Sequence, residues 1–408
     1  FLKYTGTLDS ACTITIGPNT VSKLWFIENA TSGSQNIIIK QGSGATITIA
    51  NGQTKAIYSD GAGSGGAMVD AFQDLSIPDL FVSGDLDVDG TANLDAVDVD
   101  GTVNFAADVT FADGADIITA SAGTSNVRIG VNAGNSIASG GNYNVAVGDE
   151  AGTAISTGDN NTFVGYASGD AVTTGTESVA VGSNALSAAV GSDKNTALGA
   201  YALRNDTEGE QSVAVGHQAL NAQNFATATS AYNVAVGANA GVSVTTGTFN
   251  AFIGGLSGDA LTTGTRNIVV GHNALGADTL GSRSVAIGVA ALGDQNLTTA
   301  TDVYNVAVGH GAGTAVTTGV QNVAIGGLAG DALTDADRNI AIGYQALTTD
   351  DLGSRTVALG AGAVFSQNYA TATDSHNIGI GDLSLFYNVT GVNNTFVGSA
   401  AGLGASGN

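Results

Sequence analysis

The side chains of this 408-residue chain that could do chemistry are four histidines, 35 carboxylates and one cysteine. His217, His272 and His310 each follow a glycine at one phase of a repeat. They lie whole repeats apart, roughly 10 to 15 Å in a stacked structure, so one chain cannot gather them on a metal. Three copies of one histidine could meet on a symmetry axis; surface imidazoles are the expected reading. Asp149, Glu150, Asp170, Asp259, Asp331, Asp350 and Asp351 are scattered through loops, and Asp170, Asp259 and Asp331 share a phase that suggests turn chemistry. A glycosidase needs a carboxylate pair at fixed separation in a groove. Such grooves usually carry aromatics as well, and the repeats contain no Trp. No Gly-x-x-x-x-Gly-Lys-Ser/Thr phosphate loop and no Gly-x-Ser-x-Gly elbow occurs. Asp85, Asp87 and Asp89 fall on one face of an extended segment. Clustered carboxylates suit a hard divalent cation such as Ca²⁺, although a solvated outer face is preferred. Cys12 lies in an alternating run and reads as a small strand residue without a disulfide partner. No catalytic constellation results, and neither an enzyme nor a cofactor is expected.

Composition narrows the classes further. Lys and Arg number 11 against 35 Asp and Glu, a net charge of -24, which leaves little basic surface for nucleic acid. Gly is 60, Pro only 2 and the hydrophobic share 43%, so neither collagen nor a disordered chain fits. No apolar run is long enough for a membrane-spanning helix, so no membrane insertion is expected. The chain opens on Phe1 with no signal peptide and is expected to be a fragment or a processed product.

The dominant feature is a repeat. A block of Asn, Ser or Thr followed by apolar-small-apolar-Gly recurs 16 times, ending at Gly130, Gly148, Gly165, Gly182, Gly199, Gly216, Gly237 and onward to Gly309 and Gly398. The spacing is 17 residues almost throughout, with three steps of 21 that lie 72 residues apart. The longer steps carry similar inserts at 226–229, 298–301 and 370–373, as duplication of a four-coil unit would leave. Period-two apolar alternation, frequent Gly and Thr-Thr pairs exclude helices. The expectation is a parallel β-solenoid of about 16 coils, a rod of roughly 75 Å.

The facing of the block can be argued from alternation. The residue before each Gly is Val, Ile or Leu, and the residue two earlier is usually Val or Ile; these are assigned to the coil interior. The residue between them, Ala146, Phe163, Ala180, Ala214, Phe252, Ala307, Ala324 and Phe396 among others, is assigned to an outer face covered by sister chains. An exposed apolar stripe of that length exceeds what monomers show, and three rods around an axis close most economically. Gly148, Gly165, Gly182, Gly216, Gly237 and Gly309 are read as coil corners. Ala or Ser three residues after each Gly is read as a second inward segment. The Asn that opens 12 blocks, and Thr at 173, 245, 262 and 317, are read as stacked ladders.

Residues 1–78 read as a small antiparallel β-sandwich or barrel, with Trp25 in its core within Leu24-Trp25-Phe26-Ile27, although this ring could also stack on a sugar. Residues 79–125 read as an acidic connector of short strands intertwined with sister chains, and 126–408 as the β-roll domain.

The blocks Asn144-Val-Ala-Val-Gly148, Ser212-Val-Ala-Val-Gly216 and Asn322-Val-Ala-Ile-Gly326, each followed by x-x-Ala, resemble the head repeats of YadA-like trimeric adhesins. Asn161-Thr-Phe-Val-Gly165 and Asn394-Thr-Phe-Val-Gly398 resemble repeats of bacteriophage tail fibres. Asn29-Ala-Thr-Ser-Gly33, Gly42-Ser-Gly44, Asn51-Gly52-Gln53 and Tyr58-Ser-Asp60-Gly61 resemble a tail-fibre module of marine cyanophages, and Val82-Ser-Gly-Asp-Leu86 and Val88-Asp-Gly90 resemble shaft segments. The resemblance implies a homotrimer of left-handed parallel β-rolls that adheres and does not catalyse. It implies a virion location, with tail or baseplate proteins and a host polysaccharide or protein receptor as partners. The 17-residue coil is longer than the usual adhesin coil. Neither a coiled-coil stalk nor a membrane anchor is seen, and no C-terminal self-cleaving chaperone domain. The rival expectations are the head of a bacterial trimeric autotransporter adhesin and a β-solenoid polysaccharide depolymerase. Ice binding through the Thr ladder is disfavoured because Thr-Thr-Gly skips many coils. Because bacterial envelopes are anionic like the chain, divalent cations are expected to aid adsorption by screening or bridging.

Overall fold

The computed structural model describes residues 1–72 and 121–403. Nearly all of the acidic connector read at 79–125, with Asp85, Asp87 and Asp89, lies outside the described residues. The chain divides into two compact units, Phe1–Val109 and Thr110–Asn408.

In the first unit, alternating apolar residues form seven strands: β1 Leu2–Tyr4, β2 Cys12–Thr15, β3 Ser22–Asn29, β4 Ile37–Lys40, β5 Ile47–Ile49, β6 Thr54–Asp60 and β7 Met68–Asp70. They make two sheets, β1-β3-β6-β7 and β2-β4-β5. Ile27 and Ile57 from one sheet and Ile37, Ile39 and Ile49 from the other share a single core. The pairs β3–β6, β6–β7 and β4–β5 are antiparallel. The sequence did not suggest that β1–β3 and β2–β4 are parallel. Leu2 pairs Ile27, Thr7 bridges Ser32 and Cys12 pairs Ile37. One offset thus runs through all three, and the first 15 residues lie on the chain that follows as one coil lies on another. Trp25 is half-buried against this core, its Nε1 donating to Ser59 Oγ at 3.3 Å and its ring capped by Lys23 Nζ at 4.6 Å. Leu24 and Phe26 point outward, so of that run only Ile27 is fully buried.

The second unit is the expected parallel β-solenoid. Its three-residue strands, from Val127–Ile129 to Thr395–Val397, stack in chain order into a 16-stranded sheet. Register is constant, with Ala146 beside Phe163 and Phe163 beside Ala180. Each 21-residue step adds a second short pairing: Gly209–Glu210 with Thr229–Ser230, Gly281–Ser282 with Thr301–Asp302, and Gly353–Ser354 with Thr373–Asp374. No α-helix occurs among the described residues, and no helix there is long and apolar enough to cross a membrane.

The corner glycines behave as read. Gly148, Gly165, Gly182, Gly216, Gly237 and Gly309 all have φ between +128° and +143°. A Cβ on Gly148 would sit 2.6 Å from the carbonyl oxygen of Gly165, so the stack requires glycine in this column both for angle and for space.

The facing of the strand is the reverse of the sequence reading. Ala146, Phe163, Ala180, Ala214, Phe252 and Ala307 have no exposed surface within the single chain, and Ala324 only 3%. They form the coil interior with Ala151, Ala185 and Ala219 from the Ala/Ser position three residues after Gly. Phe396, in the last coil, packs on that core but remains partly open because no coil covers it. The physical reason is volume. A 17-residue coil encloses too little space for two rows of Val and Ile plus a second inward segment, and small residues let its walls approach. Phe fits inside only where the opposite wall is glycine: Cβ atoms on Gly152 and Gly169 would lie 3.0 and 2.7 Å from the Phe163 ring. Where Leu186 or Leu203 fills that wall, the facing strand residue is Ala180 or Ala197.

Candidate functional site

Turning Ala inward turns the large β-branched residues outward. Val181, Ile253, Ile268 and Val236 are between 38% and 47% exposed. Two rows result. The one before each Gly is Val, Ile or Leu in every coil, and the other is mostly Val or Ile, with Thr162, Thr196, Ala251 and Thr395 as exceptions. With about 3.3 Å per residue and about 4.8 Å per rung, the stripe measures roughly 75 Å by 10 Å, on the order of 750 Å². A typical monomer's largest apolar patch is about 300–600 Å², and a standard interface buries about 800 Å² per partner.

The ladders that tie successive coils together run from side chain to backbone rather than between like side chains. Asn144 Oδ1 accepts the N–H of Asn161 at 2.9 Å, and Asn144 Nδ2 donates to the Gly158 carbonyl at 2.7 Å. The same pair of bonds recurs from Asn161, Asn250, Asn267 and Asn322. Thr173, Thr245, Thr262 and Thr317 likewise donate to the carbonyl one coil on.

At the 21-residue steps the interior turns polar. Buried Asp206 accepts from Gln223 Nε2 and from the N–H of Gly209; Gln223 also donates to Ser212 Oγ at 3.1 Å and accepts from Asn233 Nδ2 at 2.8 Å. Asp278-Gln295-Ser284-Asn305 and Asp350-Gln367-Thr356-Asn377 repeat the arrangement. Burial pushes the carboxyls of Asp206 and Asp350 up from the ordinary range. The sequence reading passed over these networks, although Asp-then-Gln one coil apart, at a position that is apolar in every other coil but that of Asn388, was a visible signal.

The other residues singled out remain apart. His217, His272 and His310 are exposed and lie in separate coils. No group of three or more His, Cys, Asp or Glu able to hold a metal occurs among the described residues. Asp170, Asp259 and Asp331 have carboxyls raised by burial, yet each stands several coils from the next and they form no pair. The inserts at 226–228, 298–300 and 370–372 are exposed tips, four coils apart. No protein-family model, no curated protein and no solved structure matches the chain.

Proposed function

We propose that this chain is a structural tail fibre protein of a phage virion, a homotrimer that extends from the tail and adheres to the host surface, there binding a glycan. The observation that carries the reading is the outer Val/Ile stripe, a long apolar face that sister rods of the same length would cover. Its size supports assembly, and the stacked Asn and Gly columns support stiffness. A rigid rod holds loop tips away from its attachment point, and three copies raise effective concentration, so weak single-site binding suffices. A trimer carries three times the net charge of -24, so short-range contact, not long-range attraction, is the route to an anionic envelope.

Light scattering tests the assembly: a trimer mass is expected, and a stable monomer would overturn the reading. Labelled full-length chain incubated with candidate host cells tests adhesion; retention on susceptible cells is expected, and no retention on any would remove the adhesive part.

A further inference from the structure

The residue immediately before each Asn/Ser/Thr block occupies one column on the solenoid surface, and every residue in that column has positive φ. From the seventh to the fourteenth coil it reads Tyr232, Phe249, Arg266, Arg283, Tyr304, Gln321, Arg338 and Arg355, and it ends with His376 and Asn393. The φ values along it, +49° to +63°, give each side chain the same exit from the corner. Five of the seven Lys and Arg in residues 126–408 lie in this one column: these four arginines and Lys194. In a chain this acidic, that concentration demands a reason.

The side chains stack along the rod. The rings of Tyr232 and Phe249 lie 5.5 Å apart at 20°, and the Arg266 guanidinium covers Phe249 at 5.4 Å. Arg283 covers Tyr304 at 5.5 Å, and Arg338 Nε donates to Gln321 Oε1 at 3.0 Å. Arg283 and Arg355 each meet the carboxylate that directly follows an insert, Asp302 at 2.8 Å and Asp374 at 3.0 Å. Arg266 and Arg338 are exposed and have no carboxylate partner among the described residues.

We infer that this column is a binding track for a linear polysaccharide that carries carboxylates. The inference rests on the adhesive reading above and names its site and ligand class. Arg presents a planar fork that pairs a carboxylate bidentately. The aromatic rings position those forks, since Phe249 lies against the Arg266 guanidinium and Tyr304 against that of Arg283. The rung spacing of about 4.8 Å is close to the length of one pyranose unit in an extended chain. Successive sugars therefore meet successive rungs, and their carboxylates reach the guanidinium forks at Arg266 and Arg338.

The test uses the full chain and immobilised polygalacturonate, with its fully methyl-esterified, uncharged form as control. Binding to the acid form, weakened by salt, is expected, with little to the ester. Arg266→Gln/Arg338→Gln should weaken it about tenfold or more, and Arg266→Lys/Arg338→Lys, which keeps charge but loses the fork, should fall between. Phe249→Ala/Tyr304→Ala should weaken it without changing its salt dependence. No binding of the wild type to polygalacturonate, or equal binding by the Gln variant, overturns the track. So does a Gln variant that sediments as a smaller species than the wild type, which would place the column between copies of the chain. Cell retention separates the two readings: equal adhesion by wild type and Gln variant removes the track alone, whereas no adhesion by the wild type removes the adhesive reading, and polygalacturonate still decides the track.

Discussion

A Cβ placed on Gly169 would lie 2.7 Å from three carbons of the Phe163 ring, and Gly169 itself sits at φ +57°. The aromatic ring and the missing side chain on the opposite wall therefore form one packing unit. Gly169→Ala forces the ring against its own coil and strains the backbone at once. The expected cost is about 2–4 kcal/mol, read as a lowered denaturant midpoint at unchanged m-value. Phe163→Leu combined with Gly169→Ala should recover part of it, because the smaller side chain yields the space. Equal stability of Gly169→Ala and the wild type would refute the pairing.

The Asn column makes a second prediction. Asn250 Oδ1 accepts the N–H of Asn267, and its Nδ2 donates to the Gly264 carbonyl, all in the buried wall. Asn250→Ala strands one donor and one acceptor, each costing about 1–3 kcal/mol. Asn250→Ser retains an acceptor, as Ser178 does when its Oγ accepts from Asn195 N–H at 3.2 Å, and should lose about half as much. Chemical denaturation of the three proteins gives the order wild type, Ser, Ala. Indistinguishable Ser and Ala variants would show that the accepting bond contributes nothing.

The repeat made the solenoid legible because identical rungs must pair in register, so the period of the glycines dictated the period of the strands. Alternation also correctly divided each strand into two faces. It could not say which face was inside, since Val145 and Ala146 are both apolar and hydropathy ranks the wrong one first. Volume decides that question, and the relevant quantity is what the opposite wall contributes. The signal was present in the joint occurrence of Phe163 with Gly152 and Gly169, against Ala180 with Leu186, but it is a relation between opposite walls and not between neighbours along one strand. The parallel pairing of β1 with β3 and of β2 with β4 was hidden for a related reason. Each partner occurs once, so no repeat announces the offset. The Arg and aromatic column escaped notice because its residues differ from rung to rung and share only a position.

Acidification should affect the two units differently. Burial raises the carboxyls of Asp206 and Asp350, so their protonated forms are favoured in the folded state. A group raised in this sense stabilises fully below its unfolded value and progressively loses that contribution as pH climbs through the folded value. Solenoid stability should therefore increase as pH falls from neutrality toward the ordinary carboxyl range. The slope should shrink in Asp206→Asn/Asp350→Asn, which separates this effect from simple relief of net negative charge. Asp60 behaves in the opposite sense: backbone N–H groups of Ala62 and Ala67 hold its carboxyl below the ordinary range. Its contribution persists at all pH above its unfolded value and is lost only in stronger acid. Trp25, the single tryptophan, reports the first unit by fluorescence, and far-UV circular dichroism is dominated by the second. A solenoid melting temperature that falls as pH approaches the ordinary carboxyl range from above would contradict the assignment.

The outer stripe makes the sharpest prediction for assembly. Ile253 and Ile268 occupy outer positions on adjacent coils and are 44% and 47% exposed in the single chain. Replacing both by Glu adds charge where the lone coil already meets water, so the cost to folding should stay below about 1 kcal/mol. In the proposed trimer the same change places six carboxylates in a desolvated seam without partners. Association should weaken at least about a hundredfold. Sedimentation should then give a monomer whose circular dichroism still shows the β-signal of the wild type. Ala235→Glu is the matching control, since Ala235 is fully buried within its own coil and a charge there should unfold the chain locally whatever its oligomeric state. If Ile253→Glu/Ile268→Glu sediments with the wild type, the stripe is not the seam between protomers, and self-association through this face is excluded.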